Sequence, residues 1–519
     1  MKIITSDEMR TLDKLAIEEH EISGEVLMER AGTGLANAII NMRPPRDKKI
    51  LLIAGHGNNG GDAFVAARIL VEEGYTCSLI LACEESEIKG DAFTHFVKMR
   101  QDAGIIPIEL TDVARWEKRK ILCDVGLIVD GLIGTGLKGV PQGVVAAAIR
   151  YINKHLNCCK IVAIDVPSGL NADTGEAEGD CVFADRTVTM ALPKIGLIQP
   201  RAIEYTGSIT VVNIGFPQEL IDKYKSDYEL VTKEEVQRHF PRRARMSHKG
   251  NYGHLLVIAG SRGMAGAAGM ALSAALRSGV GLLSAAVPES IAQTVTAWTK
   301  EAMVYPCPET ENGAHTLELL DKLKNHINRY DAVLIGPGMG SEQETKSLIK
   351  VLLDTLTCPV LLDADGLNAY ADSATELAKV KSGDLVLTPH PAELARILGV
   401  PTQEVQANRF SYARKSAQTT DSTVLLKGAG TLIAHEGNRL RINMSGNPGM
   451  ATGGSGDVLA GLIAGFMAQG ISGFDAAQVA SFIHGCAGDF ASFIDGEVSM
   501  TATDIIDAIP WVFLEMLPR

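Results

Sequence analysis

The sequence predicts an α/β protein of two domains, each built on a parallel, doubly wound sheet. Three observations predict it. At 519 residues the chain is too long for one hydrophobic core. Apolar runs of strand length alternate with helical stretches in both halves, and most runs end in a glycine-rich or acid-bearing turn. Between the halves, residues 217–247 are charged and poorly patterned, as in Asp222-Lys-Tyr-Lys-Ser-Asp-Tyr228 and Pro241-Arg-Arg-Ala-Arg245. Such a stretch marks a boundary. The expected division is a first domain over 1–220, a linker over 221–245 and a second domain over 246–519.

Composition narrows the function classes. Hydrophobic residues make up 46% and charged residues 21%, as in a soluble globular enzyme. The net charge of −13, with no basic block, argues against a nucleic-acid partner. The nine cysteines are odd in number and contain no Cys-x-x-Cys pair, so zinc is not expected. Buried thiols in a reducing cytoplasm fit that usage. No apolar run reaches the ~18 residues of a membrane span, and Met1-Lys-Ile-Ile-Thr-Ser-Asp-Glu8 has no apolar signal core.

In the first half, Thr5 or Ser6 caps an opening helix with Asp7 and Glu8 in its first turn, and a second helix runs from Gly24 to Met42. Lys49–Ala54 is a continuous apolar run, as in a strand buried on both faces. It breaks into Gly55-His-Gly-Asn-Asn-Gly-Gly-Asp62, with a helix expected from Ala63 to Gly74. A glycine turn between strand and helix presents bare N–H groups to an anion. A plain connection of this kind needs one or two glycines, not four with two asparagines. His56 reads as a turn residue. Strands follow over 78–82, 126–130 and 160–165, with a helix over 89–103. Three strands thus end in turns bearing Asn58, Asn59 and Asp62, then Asp130, then Asp165 and Ser168. In a doubly wound sheet those ends share one crevice. Singly, each acid would be a turn cap; together these oxygens could hold a hard cation.

Asn58-Asn-Gly-Gly-Asp62, Asp130-Gly-Leu-Ile-Gly-Thr-Gly136 and Asp165-Val-Pro-Ser-Gly-Leu-Asn-Ala-Asp-Thr-Gly175 closely resemble the NAD(P)HX epimerase domain, over about residues 1–220. The resemblance implies a Rossmann-like fold and a potassium ion held by Asn59, Asp130 and Ser168. It implies substrate contacts from Asn58, Asn59, Gly60, Gly61 and Asp62, from Gly134, Thr135, Gly136, Leu137, Lys138, Gly139 and Val140, and from Asp165. Asp165 is the candidate acid/base there.

In the second half, strands over 252–259, 280–287, 332–335, 359–362, 385–387 and 423–426 each lead into a glycine- or acid-bearing turn. The last of these motifs is Asn447-Pro-Gly-Met-Ala-Thr-Gly-Gly-Ser-Gly-Asp457, which opens an apolar helix over 458–467. Glycines at a helix start make an anion site. A carboxylate at its mouth is either an N-cap or a base that takes a proton from a hydroxyl beside a phosphate.

His248-Lys-Gly250, Gly336-Pro-Gly-Met-Gly340, Asp363-Ala-Asp-Gly-Leu-Asn368, Thr388-Pro-His-Pro-Ala-Glu393, Lys427-Gly-Ala-Gly-Thr431 and the 447–461 stretch resemble the ribokinase-like superfamily, closely its NAD(P)HX dehydratase branch. The usual Gly-Thr-Gly-Asp reads Gly454-Ser-Gly-Asp457 here, which keeps the hydroxyl. The resemblance implies that Lys427, Gly428, Ala429, Gly430, Thr431 and Gly456 hold the adenine nucleotide. Gly266, Ala267, Gly338, His390 and Asp457 would contact the hydrated dinucleotide. Without the resemblance, His390 between two prolines reads as a turn residue.

The two resemblances together imply a repair enzyme for the hydrates of NADH and NADPH (NADHX and NADPHX). The first domain would interconvert the R and S hydrates. The second would dehydrate the S form: Asp457 takes the hydroxyl proton, the glycine turn stabilises the transferred phosphoryl group, and phosphate leaves. ADP rather than ATP is the expected co-substrate, with magnesium an open addition, and a homo-oligomer is expected. The alternative is a small-molecule kinase for a vitamin alcohol or sugar using the same Asp457, fused to a non-catalytic nucleotide-binding or assembly domain.

Overall fold

The computed structural model describes residues 1–137, 139–324 and 326–517. The chain folds as two compact units, Met1–Asp227 and Tyr228–Arg519.

The first unit carries a seven-stranded sheet. Its strands are β1 (Lys49–Ala54), β2 (Cys77–Leu81), β3 (Ile108–Glu109), β4 (Val125–Gly131), β5 (Lys160–Ile164), β6 (Arg186–Met190) and β7 (Ser208–Val212). The order is β3-β2-β1-β4-β5-β6-β7 and every pair is parallel. The order reverses at β1, so the carboxyl ends of β1 and β4 open a crevice. On β1, Ile50, Leu52 and Ala54 face one buried layer and Leu51 and Ile53 the other, which is why the strand is apolar throughout. Thr5 caps the opening helix, Ser6–Glu18, in a capping box with Glu8.

The helix after β1 departs from the sequence expectation. It spans Asn58–Glu72, not 63–74, and Gly57 is its N-cap. Gly60 and Gly61 are helical. A Cβ on Gly60 would stand 2.0 Å from the Gly55 carbonyl oxygen, and one on Gly61 would stand 2.4 Å from the Met28 sulfur. Gly60 lets the helix press against the turn that leads into it, and Gly61 lets it press against Met28 of the helix Gly24–Asn41.

The second unit carries a ten-stranded sheet. Its strands are β8 (Tyr228–Leu230), β9 (His254–Ile258), β10 (Leu282–Pro288), β11 (Met303–Cys307), β12 (Ala332–Ile335), β13 (Val360–Leu362), β14 (Leu385–Leu387), β15 (Thr423–Leu426), β16 (Thr431–Ala434) and β17 (Leu440–Asn443). The order is β11-β10-β9-β12-β13-β14-β15-β16-β17-β8. From β11 to β15 the sheet is parallel, with its switch at β9. The parallel expectation fails beyond β15: β16 and β17 run antiparallel as a meander, so Lys427–Gly430 is a hairpin turn and not a strand-to-helix turn.

Residues 221–245 are not a free linker. Tyr228–Leu230 pairs in parallel with β17 at the sheet edge. Glu229 forms ion pairs with Arg439 and Arg441, and Glu235 with Arg441. Thr232 caps a short helix, Lys233–Gln237, in a capping box with Glu235. The charges that read locally as solvated have partners some two hundred residues away.

The helix Ser455–Ala468 is buried from Val458 onward, apolar all round as a core helix should be. It crosses the helix Ala265–Arg277 closely: a Cβ on Gly461 would meet the Ala271 carbonyl oxygen at 2.1 Å. Among the described residues, no helix is long and apolar enough to cross a membrane.

Candidate functional site

In the first unit, the polar ends of β1, β4 and β5 converge as the doubly wound order requires. Asp130 is fully buried at the end of β4. Its carboxylate accepts from the Ser168 hydroxyl (2.6 Å), the Ser168 N–H (2.8 Å) and the Leu132 N–H (3.2 Å). Burial pushes it up to about 6, with these donors opposing the shift. No Lys or Arg is paired with it among the described residues. Asn59 donates to the Ile164 carbonyl (2.9 Å), and its side-chain oxygen lies where a Cβ on Gly134 would stand 2.4 Å away. Asn59, Asp130 and Ser168 are therefore brought together, and all offer oxygen.

Asp165 leaves β5 in a left-handed conformation (φ 61°). Such a backbone in a non-glycine residue is strained and aims its side chain out of the strand direction. Its carboxylate takes the Lys194 ammonium and the Thr189 hydroxyl (3.0 Å). Lys194 is itself buried and also donates to the Met190 carbonyl (3.2 Å). Burial holds the Asp62 carboxyl well above the usual range, with Asp165 and Asp13 adding to the effect and Lys194 opposing it. Burial likewise pushes Asp13 up to about 6, against Lys194 and with Asp165. Three carboxyls and one ammonium thus share this interior. Sequence reasoning missed Lys194 and Asp13. The available signal was one lysine inside the apolar run 190–198 and one aspartate beside the buried Leu12 on a helix.

Gly134, Thr135, Gly136 and Leu137 line a cavity of about 170 Å³ with Ser6, Arg10, Asn171, Ala172 and Asp173. Asn58 is exposed in the first helical turn, as is His56 just before it. Gly139 is exposed at φ 71°, and Val140 packs where a Cβ on Gly179 would stand. Lys138 lies outside the described residues.

In the second unit, the site is built at the carboxyl ends of β12 to β15 and at the start of the Ser455–Ala468 helix. Gly454, at φ 92°, is the N-cap of that helix, so Asp457 is its third residue and not its cap. Burial pushes the Asp457 carboxyl up to about 7; Asp363, Asp365 and Glu393 add to the shift and Lys427 opposes it. The Lys427 ammonium donates to Asp363 (2.8 Å), stands 3.9 Å from Glu393, and lies 3.5 Å from where a Cβ on Gly456 would be. Burial alone would lower that ammonium, but Asp363, Glu393 and Asp457 outweigh it and hold it above its ordinary value. Asp363 is fixed in turn by the Thr388 hydroxyl (2.7 Å). A cation, bare helix N–H groups and a carboxylate that ionises near neutrality therefore stand together. That set can bind a phosphoryl group and take a proton from a hydroxyl beside it.

Gly338, at φ 67°, abuts the start of the Ala265–Arg277 helix: a Cβ there would stand 3.0 Å from the Ala267 Cβ. Gly266 lies in the same turn. His390 caps the helix Pro391–Leu398, its Nδ1 accepting from the N–H groups of Ala392 (3.1 Å) and Glu393 (3.4 Å). Its exposed half leaves room for a ligand contact as well. Asp363, Asp365, Glu393 and Thr388 stood in motifs quoted for the resemblance, but only the three-dimensional cluster gives them a role. A cavity of about 450 Å³ lies elsewhere in this unit, around Glu229, Glu235, Arg439, Arg441 and Asp475, where the charges are largely paired with one another.

Residues 255–511 match a family model described as NAD(P)H-hydrate dehydratase, and residues 24–196 match one described as YjeF-related protein N-terminus. The bifunctional NAD(P)H-hydrate repair enzyme of Moorella thermoacetica is 40% identical, with 99% of this chain and 96% of that one covered. The enzyme of the same name from Escherichia coli is 33% identical, with 97% and 92% covered. Among solved structures, the ADP/ATP-dependent NAD(P)H-hydrate dehydratase of Bacillus subtilis, co-crystallised with ATP and Mg²⁺, is 31% identical at a TM-score of 0.48, covering 55% of this chain and 98% of that one.

Proposed function

The chain belongs to the family of bifunctional NAD(P)H-hydrate repair enzymes, and from that premise we propose which of its residues carry the two reactions. The enzyme epimerises the R and S hydrates of NADH and NADPH and dehydrates the S hydrate to NAD(P)H.

Dehydration belongs to residues 246–519. The observation that carries this assignment is Asp457, pushed up to about 7 beside Lys427 at an open helix start. ADP is the co-substrate, held by Lys427–Thr431 and Gly456. Asp457 takes the proton of the substrate's C6 hydroxyl as that oxygen attacks the β-phosphorus, and AMP leaves. The C6–O bond then breaks to release phosphate, and loss of a C5 proton restores the ring double bond. Lys427 and the helix N–H groups stabilise the charge that develops on the phosphoryl oxygens. Gly266, Ala267, Gly338 and His390 contact the hydrated dinucleotide. Magnesium would arrive on the nucleotide phosphates.

Epimerisation belongs to residues 1–220. Asp165 is the acid/base group, standing at the end of its strand in contact with the buried Lys194. Residues 58–62 and 134–140 contact the substrate. The Asn59, Asp130 and Ser168 oxygens fit potassium: they are hard donors, and the buried Asp130 carboxylate has no basic partner among the described residues. Bound potassium would supply that counter-charge and order the turns around the substrate. A cytoplasmic location fits nine free cysteines. Exposed Phe493, Val498 and Trp511 support a homo-oligomer.

The test supplies mixed R and S hydrates with ADP or with ATP freed of ADP, and follows recovery of the reduced-nicotinamide absorbance and loss of each epimer. Faster turnover with ATP would overturn the donor assignment. A stable phosphoester, as the kinase alternative requires, would overturn the reaction.

A further inference from the structure

Arg409 opens the helix Arg409–Thr420 and is buried to 6% exposure beneath the turn Lys427–Gly430. Among the described residues the other buried cations face carboxylates: Lys194 faces Asp165, and Arg441 faces Glu229 and Glu235, as the half-buried Lys427 faces Asp363. Arg409 faces none among the described residues. Its guanidinium donates to four backbone carbonyls, those of Ala429 (3.2 Å), Gly430 (3.3 Å), Lys427 (3.4 Å) and Leu426 (3.5 Å). The remaining carbonyl of the turn, that of Gly428, accepts from the Thr431 hydroxyl at 2.9 Å. Gly428 sits at φ 136°, and a Cβ there would stand 2.6 Å from Arg409 Nη1, so glycine is required for the approach.

With the carbonyls drawn inward, the amides are left for the other side. The Lys427 N–H is taken by the Pro389 carbonyl. Those of Gly428, Ala429 and Gly430 have no hydrogen-bond partner among the described residues, and this stretch is the exposed part of the turn. Three consecutive free N–H groups above a buried positive charge can receive an anion. A buried charge without a counter-ion is costly, and an anionic ligand lying on the turn would offset it.

We propose that Arg409 is a positioning residue for the nucleotide co-substrate. It sets the 427–430 turn with its amides outward and supplies the positive field beneath them. The inference rests on the assignment of that turn to the nucleotide. The experiment compares the full-length wild type with Arg409→Lys, which keeps the charge but loses the planar fork, and Arg409→Met, which loses both. ADP affinity is measured by calorimetry. KM is measured separately for ADP and for the S hydrate, and kcat at saturating ADP.

Loss of several bonds from a charged donor predicts ADP binding weakened about tenfold or more in Arg409→Met. Arg409→Lys should recover part of that loss. The KM for the S hydrate, kcat at saturating ADP, and epimerisation should stay within about twofold. Unchanged ADP affinity in either folded variant overturns the inference. So does a parallel rise in the hydrate KM, which would mean general loosening of the unit. If Arg409→Met does not fold, Arg409→Lys carries the same comparison. Nucleotide-independent dehydration by the wild type would instead remove the underlying assignment, so the two failures are distinct.

Discussion

Asp457 has its basicity set by neighbours and not by its own chemistry. Burial and the acids Asp363, Asp365 and Glu393 push it up, and Lys427 alone restrains it. Asp457→Asn keeps the shape and removes the proposed base, so dehydration should fall at least about 10²-fold while epimerisation persists. Near-normal dehydration by that variant would refute the assignment. The same shift sets a pH dependence. The base must be ionised, so dehydration at saturating substrates should climb with pH through about 7 and drop about tenfold per unit below it. A flat profile across that range would show that another group takes the proton. For stability the sign is opposite. Between the ordinary carboxylate value and about 7, the folded chain keeps a proton on Asp457 that the unfolded chain releases. This group therefore favours folding at low pH and loses that contribution as pH rises through about 7.

At the scale of elements, the glycines near β1 divide into two kinds. Gly60 is packed against the Gly55 carbonyl, whereas a Cβ on Gly57 would meet nothing within 4 Å. Gly60→Ala should destabilise the first unit by about 2 kcal/mol through overpacking, despite alanine's better helix propensity. Gly57→Ala should cost no more than about 1 kcal/mol, the scale of a weakened N-cap. Denaturant unfolding of the two variants measures the difference, and equal losses would mean that the helix does not approach as described. The hairpin at Lys427–Gly430 belongs to this scale too. A polar turn after an apolar strand reads the same whether a helix or a strand follows, because the pairing of β16 with β15 is not written in the turn.

At the scale of the molecule, each unit has its own sheet and its own core. Fragments 1–227 and 228–519 should each fold, the first epimerising and the second dehydrating pure S hydrate. A fragment cut at 246 should be markedly less stable than one cut at 228. It lacks β8 and the buried Val231 and Val236, and it leaves Arg441 buried without Glu229 or Glu235. An unpaired buried charge costs about 3–5 kcal/mol. Equal melting temperatures for the two fragments would show that residues 228–245 are dispensable. In the full chain, Asp130→Ala should impair epimerisation and leave dehydration of S hydrate intact. Metal analysis finding stoichiometric zinc in the wild type would refute the oxygen-ligand site.

The sequence by itself determined the two-domain α/β class, the central strands, and the acid- and glycine-bearing turns at their carboxyl ends. Those features rest on local periodicity and local backbone chemistry, which a linear reading can follow, as the apolar run of β1 illustrates. Asp457 and Asp130 were legible because each ends or opens an element within a recognisable motif. Only the tertiary structure decided that Asp165 meets Lys194, that Lys427 is held by Asp363, that Glu229 and Glu235 belong to Arg441, and that Arg409 has carbonyls for partners. Compensation of a buried charge depends on what lies within a few ångströms in space, and those partners come from far along the chain. A charge in the sequence therefore reads as solvated until the fold supplies its neighbours.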